Sequence, residues 1–168
     1  MSSLPTLYLY ANTDNTELVK LYESSIDAHN NHVQNDPFPN SGFDLFIPET
    51  HILDAREDMH GTLVDLQVKC EMSKKGKPLA YYLYPRSSLS KTPLMLSHSA
   101  GIIDSGYRGF IKASLRNLGK SAYTVEHGTR LVQIVHPKMK PFLVTLVRHD
   151  TELSSTTRGT GGFGSTGK

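Results

Sequence analysis

The spacing of hydrophobic positions changes period once along the chain. Leu18, Leu21, Tyr22 and Ile26 recur at helical intervals near the start. Asp14, with Glu17 three residues on, has the form of a capping box, so a short N-terminal helix is expected there. Asn30, Asn31, Asn35 and Asp36 ahead of Pro37 are expected to end it in a loop. From Gly42 onward the period is two. Val64, Leu66, Val68 and Cys70 alternate with Asp65, Gln67 and Lys69, and Ile111, Ala113 and Leu115 alternate with Lys112, Ser114 and Arg116. Further β-rich runs lie at 43–47, 79–84, 131–135 and 142–147, separated by turn signals such as Lys75-Gly76-Lys77-Pro78 and Asn117-Leu118-Gly119-Lys120. Many short strands at regular spacing predict an all-β, antiparallel sandwich or barrel.

Composition narrows the function more than the fold. The 168 residues suit one domain, and 18 basic against 16 acidic residues leave a net charge of only +2. A dedicated nucleic-acid binder draws its affinity from a strong basic excess, so no nucleic-acid partner is expected. With 38% hydrophobic residues the chain is too apolar for a disordered tail, yet no run is long enough to span a bilayer, so no membrane partner is expected either. A single cysteine, Cys70, cannot form an internal disulfide and reads as a small core hydrophobe. The start of the sequence lacks the pattern of a secretory signal, and the expected location is intracellular, cytoplasmic or nuclear.

Five patches look out of place on a plain β domain. Ser41-Gly42-Phe43-Asp44-Leu45 puts an acid inside an apolar run, and Pro85-Arg86-Ser87-Ser88-Leu89 groups a guanidinium with two hydroxyls after a strand. Gly101-Ile102-Ile103-Asp104-Ser105-Gly106-Tyr107-Arg108-Gly109 sets an acid and an aromatic across a tight turn. Gly128-Thr129-Arg130-Leu131-Val132-Gln133 leads a turn into a strand bearing one amide. Residues 158–167, Arg-Gly-Thr-Gly-Gly-Phe-Gly-Ser-Thr-Gly, carry no packing pattern. Their glycines would let backbone N–H groups approach anionic oxygens, with Arg158 as a cationic fork and Phe163 as a ring to stack on something planar. The spacing from Gly162 to Lys168 also matches the first part of a P-loop, but the sequence stops before the hydroxyl and helix that motif needs, so a P-loop is not expected.

In this order and spacing, from Gly42 to Gly167, the five patches resemble the motifs of the trimeric dUTPase family (dUTP diphosphatases). The resemblance implies an antiparallel jelly-roll β domain at 42–150, an N-terminal extension at 1–41, and a flexible Gly-rich arm at 151–168 closing an active site. It implies a homotrimer with shared sites that hydrolyses dUTP to dUMP and pyrophosphate, limiting uracil in DNA and supplying dUMP for dTMP synthesis. Asp104 then corresponds to the carboxylate that activates the attacking water. Arg86, Ser87, Ser88 and Gln133 would hold phosphates; Gly101, Ile102, Ile103 and the backbone up to Lys112 would receive uracil and deoxyribose. Tyr107 would pack beneath the sugar and exclude a ribose. Arg158, Ser165 and Thr166 would clamp the γ-phosphate while Phe163 stacks on uracil, and Gly164 among them would also bind substrate. The implied cofactor is Mg2+, bound through phosphates and water with no protein ligand set, in keeping with that ion's habits; Asp44 would reach its shell only indirectly.

Three departures stand out. Thr129 replaces a common Asp, so a supporting ion pair is expected to be missing; Ser88 replaces a common Gly; residues 1–41 match nothing in the pattern. The rival reading, a dCTP deaminase or bifunctional relative, needs a glutamate where Ser114 stands, and Ser114 cannot shuttle a proton at neutral pH. A non-catalytic trimeric interaction protein is the other alternative, disfavoured by the intact Asp104, Tyr107 and 158–167 set.

Overall fold

The computed structural model describes residues 4–55 and 60–161. In chain order the elements are β1 (Thr6–Ala11), α1 (Thr16–Asn35), β2 (Gly42–Phe46), β3 (His51–Leu53), β4 (Thr62–Asp65), β5 (Val68–Lys74), β6 (Lys77–Leu79), β7 (Tyr81–Pro85), β8 (Leu94–Leu96), β9 (Gly101–Ile103), β10 (Lys112–Asn117), β11 (Tyr123–Val125), β12 (Arg130–Val135) and β13 (Leu143–Val147). They form small sheets ordered β13-β1-β5-β6, β4-β10-β8, β11-β3 and β2-β12-β7-β9. The sheets close on a shared core that includes Leu9, Phe43, Leu66, Leu83, Ile134 and Phe142. The result is an all-β fold of jelly-roll type with one helix, not a closed barrel. All pairings are antiparallel except β1 with β13, which is parallel.

β1 and α1 contribute Leu7, Leu9, Ala11, Leu18, Tyr22 and Ile26 to this core. β1 was not expected from the sequence, yet it runs between β13 and β5 and buries Leu7, Leu9 and Ala11. Its outward positions are Thr6, Tyr8 and Tyr10, so the strand reads as apolar throughout and its period is masked. The helix is 20 residues long rather than short. It starts at Asn15, not Asp14: the Asn15 amide donates to Pro48 and Gln67, leaving its carbonyl to cap the Leu18 N–H at 3.1 Å. It also runs through Asn30 and Asn31, because Asn30 donates to the Val144 carbonyl at 2.8 Å and accepts from the Val144 N–H at 2.9 Å. That satisfies an edge of β13 which would otherwise be open. Pro37 then stops the helix by forcing Asp36 into extended backbone (ψ 129°).

Leu18, Tyr22, Ile26 and Val33 are the buried face of α1. The Tyr22 hydroxyl, fully buried, accepts the Phe46 N–H at 3.1 Å and thereby ties α1 to β2. Losing it would strand a buried donor at a cost of about 1–3 kcal/mol. The alternation from Val64 to Cys70 is split in two at Gln67, whose φ of 54° lets the chain pass from one sheet to another. Asp65 holds that turn by accepting the Gln67 N–H at 2.8 Å. Cys70 is buried, and burial pushes its thiol pKa up, as expected of a core group. No described helix is long and apolar enough to cross a membrane.

Candidate active site

The site residues expected from the sequence gather at two places. The first is a cavity of about 330 Å³ at the edge strand β9. Gly101, Ile102 and Ile103 pair with Leu83, Tyr82 and Tyr81 of β7, which leaves the other backbone edge of β9 beside the cavity. The turn closes with the Tyr107 N–H donating to the Asp104 carbonyl at 3.0 Å, so Asp104 and Tyr107 face the same space. Lys112 and Arg158 line it as well. Tyr107 donates its hydroxyl to the Phe110 carbonyl at 2.9 Å, and its ring lies directly over Gly109. A Cβ at Gly109 would sit 2.4 Å from that hydroxyl, so only glycine lets the ring lie there. Partial burial raises the Tyr107 pKa, so the phenol stays neutral.

Arg108, between them, was quoted from the sequence but given no role. Its guanidinium donates to the Ser105 and Tyr107 carbonyls and to both oxygens of Ser154, and pairs with Glu71 at 3.2 Å. It fastens the turn to the root of the C-terminal arm. Thr156 adds a bond to the Gly106 carbonyl at 2.5 Å, and the Arg108 N–H donates to the Gly159 carbonyl at 2.8 Å. Leu153 is buried, so the arm does put one side chain into the core, contrary to its polar sequence. Arg158 donates to the Asp104 carboxylate itself. Phe163, Gly164, Ser165 and Thr166 lie outside the described residues.

The second place is a polar cavity of about 520 Å³ on the β2-β12-β7 sheet, holding Arg86, Ser87 and Gln133. Gln133 stands opposite Asp44 on β2 and opposite Tyr84 on β7, so this row shares one face of the sheet. Asp44, which the sequence flagged only weakly, is the hub: one oxygen takes Arg86 Nε at 2.7 Å and the other Arg130 Nη1 at 3.3 Å. Arg86 also donates to Ser88 Oγ and the Arg130 carbonyl, both at 3.1 Å. Ser88 lines neither cavity and acts as a support for Arg86. Gly42 makes room for Gln133, since a Cβ there would meet its side-chain oxygen at 2.0 Å.

Two residues of α1, Ser25 and His29, also line this cavity, and no motif pointed to them. His29 Nε2 bonds the Phe142 carbonyl at 2.9 Å; a carbonyl only accepts, so Nε2 carries the proton. Burial lowers the His29 pKa, so the ring is neutral at neutral pH.

Neither cavity has the donor set of a protein metal cage. Both Asp44 oxygens are committed to arginines, and no group of three or more His, Cys, Asp or Glu suited to a metal is found among the described residues. Such a site fits an ion held by phosphate oxygens and water. At the position where a deaminase would need its glutamate, Ser114 is buried and bonded to Ser97 at 3.0 Å.

The dUTPase family model matches residues 32–167. A deoxyuridine 5'-triphosphate nucleotidohydrolase of Clostridium acetobutylicum is 39% identical over 129 residues, covering 76% of this chain and 82% of its own. One from Clostridium novyi is 38% identical over 128 residues, covering 76% and 84%. Among solved structures, the dUTPase of Streptococcus mutans is 30% identical, covering 66% of this chain and 85% of its own, with a TM-score of 0.49. The chain belongs to the dUTPase family.

Proposed function

We propose that the chain hydrolyses dUTP to dUMP and pyrophosphate in a site assembled from more than one copy of itself. The observation that carries this reading is the convergence of Asp104, Tyr107 and the open edge of β9 on one cavity within a chain of the dUTPase family. The β9 backbone offers donors and acceptors to a pyrimidine edge, and Tyr107 fills the space where a ribose would carry its 2′-hydroxyl. Asp104 is positioned to accept a hydrogen bond from water and to turn that water's lone pair toward the α-phosphorus. The water oxygen bonds to that phosphorus as its proton passes to Asp104, the bond from the α-phosphorus to the bridging oxygen breaks, and pyrophosphate leaves with that oxygen while Asp104 returns the proton to solvent.

Separation of the two cavities supports the oligomeric part of the proposal. The two cavities share no lining residue. One chain therefore offers its pyrimidine half and its phosphate half at two separate places. A homotrimer with shared sites brings the Arg86, Ser87 and Gln133 face of one copy to the Asp104 cavity of the next. Magnesium, when bound, neutralises charge on the triphosphate. Without nucleotide Arg158 holds Asp104; a triphosphate, carrying more charge than a carboxylate, draws the guanidinium away and leaves Asp104 free for water. Phe163, Gly164, Ser165 and Thr166 would add stacking and phosphate contacts from the arm.

Hydrolysis of dUTP in ¹⁸O-labelled water tests the chemistry. Label in dUMP is expected from attack at the α-phosphorus. Label in pyrophosphate would mean attack at the β-phosphorus and would overturn the placement of Asp104.

A further inference from the structure

The family match begins at residue 32, so β1 and most of α1 lie outside it, yet α1 lines the phosphate cavity. Ser25 and His29 are one turn apart and share a face of the helix. That face meets Arg86, Ser87 and Gln133 across the cavity. The Ser25 hydroxyl forms no hydrogen bond with any described residue, and neither does the Ser87 hydroxyl. Two unspent donors thus flank a cavity whose guanidinium and amide are already oriented by Asp44, Ser88 and Pro85. That chemistry suits an extended polyanion rather than a neutral base.

The wall is rigid. His29 is fixed by its bond to Phe142 and by edge-on packing against Phe43 at 5.1 Å. Asn30 holds both backbone groups of Val144, and Tyr22 holds the Phe46 N–H. A hydroxyl on such a helix is placed before the ligand arrives, so its bond costs little ordering.

We infer that α1 forms an additional wall of the phosphate half of the site, with Ser25 donating to the triphosphate chain of the nucleotide and His29 positioning the helix. This rests on the dUTPase reading and adds a phosphate contact supplied from outside the region matched by the family.

Steady-state kinetics on Ser25→Ala, Ser25→Thr and Asn30→Ala test it, with inhibition by dUMP measured alongside. Ser25→Ala is expected to raise KM for dUTP about tenfold or more, as expected for a lost bond to a charged group. It should leave the inhibition constant of dUMP and the melting temperature unchanged, because dUMP lacks the outer phosphates. Ser25→Thr, which keeps a hydroxyl, should restore KM. Asn30→Ala loosens the helix on β13 without touching the cavity, so it should lower the melting temperature and leave KM unchanged. An unchanged KM in Ser25→Ala, an equal loss of dUMP binding, or the same KM rise in Asn30→Ala would overturn the proposal. A wild-type protein that does not turn over dUTP would instead overturn the reading of the whole site.

Discussion

Asp104 and Arg158 form an ion pair whose side chains are 50% and 39% exposed, so the pair adds no more than about 1 kcal/mol to the fold. Replacing the carboxylate is therefore a test of chemistry rather than of stability. Asp104→Asn is expected to melt like the wild type and to lose roughly 10²–10⁴-fold in kcat, the usual range for a missing general base. Wild-type turnover in the folded variant would move the water-activating role elsewhere. Gly109 tests the neighbouring ring. Because a Cβ there would collide with the Tyr107 ring, Gly109→Ala should displace it and weaken discrimination against UTP, as Tyr107→Ala should do directly. The ratio of kcat/KM for dUTP and UTP reads this. An unchanged ratio in both variants would show that Tyr107 is not the steric gate.

Which elements the sequence reveals depends on how their two faces differ. β5 carries apolar residues inside and polar ones outside, so its period is plain. β1 hides behind its outward Tyr8 and Tyr10, and the β4–β5 break hides because Val64, Leu66, Val68 and Cys70 stay buried on both sides of the left-handed Gln67. Asn30 looks like a helix terminator until its partner on β13, 114 positions away, is known. The same rule governs the site. Asp104 and Tyr107 are legible because they share one contiguous turn. The clamp of Asp44 on Arg86 and Arg130, and the wall made by α1, join residues far apart in sequence and leave no local trace. The anchorage of the arm through Arg108, Ser154 and Thr156 likewise leaves no local trace. These side-chain anchors precede residue 157, while the Arg108 N–H bond to Gly159 and the exposed Arg158–Asp104 pair lie beyond it. Removing residues 157–168 should leave the melting temperature and oligomeric state unchanged while abolishing most dUTP turnover. Dissociation of the truncated protein, or normal turnover, would contradict an arm that acts on the site alone.

At the scale of the whole molecule, the cavity of Asp104 and the cavity of Arg86 and Gln133 share no lining residue, and the proposed shared site needs a second copy to bring them to one nucleotide. Mixing two inactive variants tests this. Asp104→Asn spoils the first cavity and Gln133→Ala the second, so co-refolded mixtures should regain part of the wild-type activity through sites built from one intact half of each. Mixtures as inactive as the separate variants would place the complete site within a single chain. All of this presupposes the reaction itself. The most direct test is pyrophosphate release from dUTP, dTTP, dCTP, dATP, dGTP and UTP, each with magnesium. The account predicts release from dUTP alone. Comparable release from dTTP or UTP, or none from dUTP, would contradict it.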